Sequence, residues 1–196
     1  GGGLRRFGIL NGRAWRQVTR DRSLNIARFT SSLFSALLFG AIYFNLGMGV
    51  GTIPDRLGLL QVAAVNTAMT SLIKATTSFA TEKQIVQAER RKGLYGVIPY
   101  FLAKMAAEVP LSSLYPCLSG WLMYKLCGLN PGPGKLSRFL LILVVEAMAT
   151  TALGMSIGAL VPTAEAGVAV APAVMVIFIV FGGLYVVNTP SYLSWV

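Results

Sequence analysis

Apolar residues along this chain gather into five long blocks separated by short polar stretches, at residues 24–46, 57–79, 98–126, 139–160 and 167–187. Each block is close to or above the roughly 20 residues that a helix needs to cross a bilayer. Inside hydrocarbon every backbone N–H and C=O must find its partner within the segment, so such blocks fold as helices. Five spanning helices are therefore predicted. Pro110 and Pro116 should kink the third, and Pro172 lies near the start of the fifth. The second block is unusually polar, with Gln61, Asn66, Thr67, Thr70, Ser71, Lys74, Thr76 and Thr77.

Two polar stretches also carry a helical pattern. Over residues 4–23, Phe7, Leu10, Ala14, Trp15 and Val18 recur at helical spacing with Arg13, Arg16 and Arg20 between them. A basic amphipathic helix with a Trp is suited to lie in the membrane interface. After the second block, residues 81–95 place Glu82 and Glu89 ahead of Arg90, Arg91 and Lys92. Acids early and bases late suit a helix dipole. A charged helix at the membrane surface is placed to receive force from a soluble partner. The expected organisation is a linker and interfacial helix over 1–23, then one transmembrane domain over 24–196.

Lys and Arg set the orientation. Arg5, Arg6, Arg13, Arg16, Arg20, Arg22 and Arg28 flank the first block, and Lys83, Arg90, Arg91 and Lys92 follow the second. The opposite side has Arg56, Lys125, Lys135 and Arg138. The positive-inside rule puts the N-terminus and the charged helix in the cytoplasm. Arg28 is expected to snorkel to the headgroups. The chain then ends outside after a fifth span, and the odd count leads to the expectation of a further C-terminal segment. No cleavable signal peptide is expected, because the N-terminus is polar and basic.

Composition agrees with a multi-pass membrane protein. Apolar residues make up 55% and charged residues 12%, against roughly 25% charged in soluble domains, and mean hydropathy is +0.65. The net charge of +10 reads as topology and lipid contact, because the bases cluster at block ends. Nucleic acid is not an expected partner. There is no His, which excludes His-based catalysis and His metal sites. Cys117 and Cys127 both fall in one apolar block and read as small apolar helix residues. No metal is expected.

Candidate chemistry is sparse. Gly132-Pro133-Gly134-Lys135-Leu136 lacks the spacing, the hydroxyl and the free amides of a phosphate loop. No nucleophile with a base and no carboxylate pair occurs, so no catalytic site is expected. Polar residues inside spans are the better clue, because they usually face a partner or a cavity. Asn66 and Thr70 are four apart and share a helix face, with Thr67 and Ser71 beside them. They fit either a weakly polar substrate cavity or interhelical hydrogen bonds. Glu146 lies mid-span, where an isolated carboxylate is expected to be protonated or paired. Lys104 and Glu108 are four apart and are expected to pair locally. Gly182-Gly183-Leu184-Tyr185 closes the fifth block, as a plug or as an ordinary helix end with an interfacial Tyr.

These motifs together resemble the transmembrane domain of G-subfamily ABC transporters, the white-brown complex group. The shared features are an amphipathic connecting helix, the E-x6-E-R helix from Glu82 to Arg90, the Lys104-x3-Glu108-x-Pro110 string and the Gly-Gly-Leu-Tyr ending, followed by Pro190 and Trp195. The strings at 58–69 and 177–183 are most similar to plant-type half transporters. The resemblance implies an ABC-2 type fold and an exporter of lipids, sterols or other amphipathic compounds. It implies a nucleotide-binding domain on the same polypeptide holding ATP and Mg, a second half transporter, and a final helix, the ATPase domain and that helix lying outside this sequence. It places Glu82, Glu89, Arg90 and Arg91 at the contact with the nucleotide-binding domain. Asn66, Thr67, Thr70, Val176 and Ile179 fall in a cavity between second and fifth helices of two protomers. Gly183, Leu184 and Tyr185 fall at a hydrophobic gate, where Tyr185 replaces the Leu of some members. A plasma-membrane location is expected ahead of an organelle membrane. Other readings are a polysaccharide-type ABC-2 permease, a membrane-embedded enzyme built around Glu146, and a structural membrane protein.

Overall fold

The computed structural model describes residues 22–47, 49–93, 96–130 and 132–181, together with residues 8, 12, 15 and 16. The expected interfacial helix lies almost wholly outside these residues, as do Gly183, Leu184 and Tyr185 and the side chain of Arg90. The elements are α1 (Arg22–Ile42), a short 3-10 turn (Val50–Thr52), α2 (Ile53–Arg91), α3 (Val97–Leu126), α4 (Lys135–Leu160) and α5 (Ala164–Phe181). No strand occurs among the described residues, and the fold is all-α.

Three elements carry a window long and apolar enough to cross a membrane: α1, α2 with its leading turn, and α4. The apolar stretch of α5 is shorter over its described residues. At 30 residues α3 has the length, but its polar residues dilute the apolar signal. Those polar residues point inward. Lys104, Glu108 and Ser112 are buried, whereas Phe101, Leu102, Leu114, Leu118 and Trp121 are exposed. An inward polar face is what a helix in lipid requires. The helix runs continuously through Pro110 and Pro116.

The second block and the charged segment form one helix of 39 residues, whereas the sequence pattern separates a span from a surface helix. The physical reason is local: from Phe79 to Arg91 there is neither Gly nor Pro, and nothing interrupts the backbone ladder. Its stop is Gly93, in the left-handed region at φ 70°. At 1.5 Å per residue α2 is about 58 Å long, nearly twice the hydrocarbon thickness. Its charged end is thus an axial extension. Conversely α1 stops at Ile42, short of the end of its apolar block. Asn45 adopts φ 49°, and the amides of Asn45 and Leu46 donate to the carbonyls of Leu126 and Cys127 at 3.2 and 3.0 Å. Arg56 Nη2 donates to the carbonyls of Leu46 and Gly47 at 3.0 and 2.8 Å and fixes the same turn.

Packing divides the bundle. The main seam of α2 is with α4, and its second is with α5; α3 packs on α1 and α4. The α2–α4 seam depends on Gly154 and Gly158, four apart on one face. A Cβ at Gly154 would stand 2.6 Å from the Leu72 carbonyl oxygen, and one at Gly158 would stand 2.8 Å from that of Thr76. Small residues at this spacing let two helix backbones approach in lipid, where packing replaces the hydrophobic drive. A core of Ala68, Leu72, Ala80, Ile157, Val161, Ala171 and Met175 fills the seam. At the other end Leu59, Ala63, Met123 and Cys127 form a second core, with Phe39, Tyr43 and Phe139 against it. Neither α1 nor α3 closes tightly on α2, and a space remains between these three helices.

Candidate binding cavity and charged arm

That space is a cavity of about 360 Å³ bounded by α1, α2 and α3, within the range of small-molecule sites. Its wall on α2 is Asn66, Thr67, Thr70, Ser71, Lys74 and Thr77, with Ile73. Spacings of three and four put these residues on one stripe, opposite the seam with α4. Helix α1 adds Arg28, Ser31 and Ser32; α3 adds Ser112, Tyr115 and Ser119. The remaining lining is Ala27 and Pro116.

Side-chain hydrogen bonds tie the helix pairs around the cavity. Asn66 Nδ2 donates to Ser35 Oγ at 3.2 Å, joining α2 to α1. Lys74 Nζ donates to Ser112 Oγ at 3.1 Å, joining α2 to α3. The Tyr115 hydroxyl donates to Asn25 Oδ1 at 3.3 Å, joining α3 to α1. Thr70 Oγ1 donates to the Asn66 carbonyl at 2.8 Å and Thr77 Oγ1 to that of Ile73 at 3.0 Å. Their protons are spent on the helix backbone, and their lone pairs remain for the cavity.

The structure brings Asn66, Thr67 and Thr70 into this cavity and does not bring Val176 or Ile179 there. Ile179 packs against the core of α2, α4 and α5. Val176 is 53% exposed on α5. Arg28, Ser112 and Tyr115 belong to the cavity although the sequence pattern does not mark them for it. Their signal was present as isolated polar residues in apolar blocks, but periodicity alone does not say which helix a polar face meets. Glu146 is half-buried on α4, and its Oε2 has no hydrogen-bond partner among the described residues.

The charged end of α2 has a buried root and an exposed tip. Glu82 Oε2 forms an ion pair with Lys104 Nζ on α3 and accepts a hydrogen bond from the Tyr100 hydroxyl at 3.1 Å. Lys104 also lies 3.6 Å from Glu108. The expected local pair is therefore one arm of a three-residue cluster. Lys83 Nζ donates to the carbonyls of Ala159 and Val161 at 2.5 and 3.4 Å. These carbonyls lie at the negative end of α4, where a cation is favoured. Beyond this root Glu89 is half-buried and Arg91 is exposed.

Comparison with known proteins places this architecture. The family model described as "ABC-2 type transporter" matches residues 5–196. Over 197 aligned residues the chain is 43% identical to "ABC transporter G family member 7" of Arabidopsis thaliana, covering 100% of this chain and 27% of that protein. It is 26% identical to "ABC transporter G family member 1" of Dictyostelium discoideum, over 98% of this chain and 25% of that protein. It is 27% identical to "Protein white" of Ceratitis capitata, over 93% of this chain and 27% of that protein. The chain spans about a quarter of the length of these curated relatives. With membrane-length apolar helices, a matching family model and these relatives, the chain belongs to the ABC-2 type transporter family, as a membrane domain of the G-family kind.

Proposed function

We propose that this chain forms the translocation path of an ATP-driven exporter for lipids, sterols or other amphipathic small molecules. The observation that carries the reading is the cavity between α1, α2 and α3, whose α2 wall continues without a break into the charged arm. Its lining mixes hydroxyls and an amide with Ala27, Ile73 and Pro116, as an amphipathic ligand requires. A polysaccharide path calls for a wide aromatic channel, and Tyr115 is the one aromatic side chain among these lining residues.

In this reading ATP and Mg belong to a nucleotide-binding domain that engages the tip of α2, with Glu89, Arg90 and Arg91 at the contact. A second half transporter completes the assembly, and Val176 on the exposed face of α5 points toward it. The protein acts at the plasma membrane. The arm beyond Ala80 is about 16 Å long at 1.5 Å per residue. It is tied to α3 through Glu82–Lys104 and to α4 through Lys83, so its displacement moves three helices together. ATP drives the cycle by binding one bundle conformation more tightly than the other.

The test is ATPase activity of the full-length protein in lipid vesicles against a panel of sterols, lipids and small amphiphiles. Stimulation by one class, lost in Thr70→Leu, is the expected result. ATPase that no compound alters, in wild type and variant alike, sinks the cavity assignment.

A further inference from the structure

At the mid-span end of the cavity the polar side chains have already committed their protons. Thr70 Oγ1 donates to the Asn66 carbonyl at 2.8 Å, and Ser119 Oγ donates to the Tyr115 carbonyl at 3.0 Å. Ser35 Oγ donates to the Ser32 carbonyl at 3.0 Å. Its single proton is thereby used, so it accepts from Asn66. That fixes the amide with Nδ2 on Ser35 and leaves Oδ1 as an acceptor. Among the described residues nothing donates to Oδ1, and it is not closed off from the space that Asn66 lines. Thr67 is the other polar residue at this end and is 6% exposed, so acceptors outnumber donors. The cations stand elsewhere. Lys74 lies eight positions from Asn66 along α2, about 12 Å at 1.5 Å per residue. There Ser112 accepts its hydrogen bond and Glu108 acts on it electrostatically. Arg28 is likewise engaged. Past Asn66 and Ser119 a second space of about 10 Å³ lies against Ala63, Met123 and Leu143, at the lower bound for one water. The cavity therefore closes at these acceptors.

We propose that this closed end is a subsite for a hydrogen-bond donor, a hydroxyl or N–H group of the ligand, in which Ser119 on α3 joins Thr70 and Asn66 as a specificity-determining acceptor. The subsite rests on the reading of the cavity as a ligand site and adds the polarity of the group selected there. A ligand donor gains a hydrogen bond to a lone pair and breaks none. A ligand carbonyl gains one only by drawing a hydroxyl proton off its backbone carbonyl. Left unmet, that carbonyl is costly in a low local dielectric.

The test uses the full-length protein in phosphatidylcholine nanodiscs, with empty discs to subtract partition into lipid. The probes are 2-tetralol and 2-tetralone, which match in size and differ in an O–H against a C=O. A cavity of about 360 Å³ is more than twice the roughly 150 Å³ that holds benzene, so a two-ring probe fits. The alcohol is expected to bind about three- to tenfold more tightly, the worth of one net hydrogen bond. Ser119→Ala is expected to narrow that ratio, and adding Thr70→Val to cut it by at least about half. Each change removes only bonds within its own helix, and the wild-type ratio needs no variant. Equal binding of the two probes, or tighter binding of the ketone, overturns the proposal. So does an alcohol preference that the double variant leaves unchanged. Binding of neither probe above empty discs overturns it together with the cavity reading. Alcohol-selective binding that leaves ATPase unaltered supports the subsite and removes the exporter reading. ATPase stimulated alike by both probes, with equal affinities, supports the exporter and overturns the donor preference.

Discussion

Lys104 on α3 reaches Glu82 on α2 at the point where the apolar length of α2 becomes its charged arm. The Lys104 side chain is 7% exposed, Glu82 20% and Glu108 3%. Removing the cation therefore hurts more than removing either acid. Lys104→Met leaves Glu108 buried without its counter-ion, and a loss of about 3–5 kcal/mol is expected. Glu82→Gln leaves Lys104 with Glu108 and should fall below that range. Exchanging the pair, Glu82→Lys with Lys104→Glu, does not restore stability, because the new acid stands one turn from Glu108. Thermal unfolding of the three variants in detergent checks the order. Recovery by the exchange would show that Glu108 takes no part.

Gly154 and Gly158 hold α2 and α4 at backbone contact. Gly154→Leu and Gly158→Leu put atoms where the carbonyls of Leu72 and Thr76 already stand. Each is expected to cost at least about 1–3 kcal/mol through overpacking. Gly51→Ala, where a Cβ meets nothing within 4 Å, serves as the control. Equal melting temperatures for Gly154→Leu and Gly51→Ala would contradict the seam.

The tip of α2 should matter for coupling. Glu89→Arg or Arg90→Glu is expected to lower substrate-stimulated ATPase at least about tenfold, the size of a lost interfacial charge contact, with membrane insertion intact. Transport and stability measured on the same preparation separate the two effects. Wild-type transport in both variants would remove the coupling role.

Asn66 and Thr70 differ in what they tie together. Asn66→Leu breaks the side-chain link from α2 to Ser35 on α1, and a loss near 0.6 kcal/mol is typical for such a bond in a membrane. Thr70→Leu breaks only a bond to its own helix and fills part of the cavity. Asn66→Leu should therefore shift stability as well as substrate response, and Thr70→Leu substrate response alone. Melting curves beside substrate-stimulated ATPase distinguish them.

Glu146 presents a buried Oε2 that no described group satisfies. An unmet buried oxygen costs about 1–3 kcal/mol. Glu146→Met is expected to leave the protein as stable or more so. A clear fall in melting temperature would reveal a partner for this carboxylate in the assembled transporter.

Much of the cavity was legible one helix at a time. The spacing of Asn66 and Thr70, with Thr67 and Ser71 beside them, announces a polar stripe on α2, and all four line the cavity. The pairing of stripes was not legible. Lys104 has Glu108 one turn away, yet also takes Glu82, 22 positions earlier in the chain, because α3 folds back beside the root of the arm. Val176 and Ile179 lie on α5, which packs on α2 away from the wall of this cavity; the resemblance sets them in a cavity between two protomers. The continuity of α2 follows from the lack of any breaker between Phe79 and Arg91, a local fact that a reading by hydropathy blocks divides in two.

The membrane class, a helix within each apolar block and the family are readable from the residues alone, since the bilayer leaves a spanning backbone no choice but helix and the charged strings are family-specific in combination. Which polar faces meet depends on the folded bundle. Periodicity fixes the face of a helix, but its rotation and neighbour are set by contacts that exist only once two helices touch, as at Gly154 against Leu72. Those contacts turned α2 so that Lys74 and Arg28 came to share one cavity.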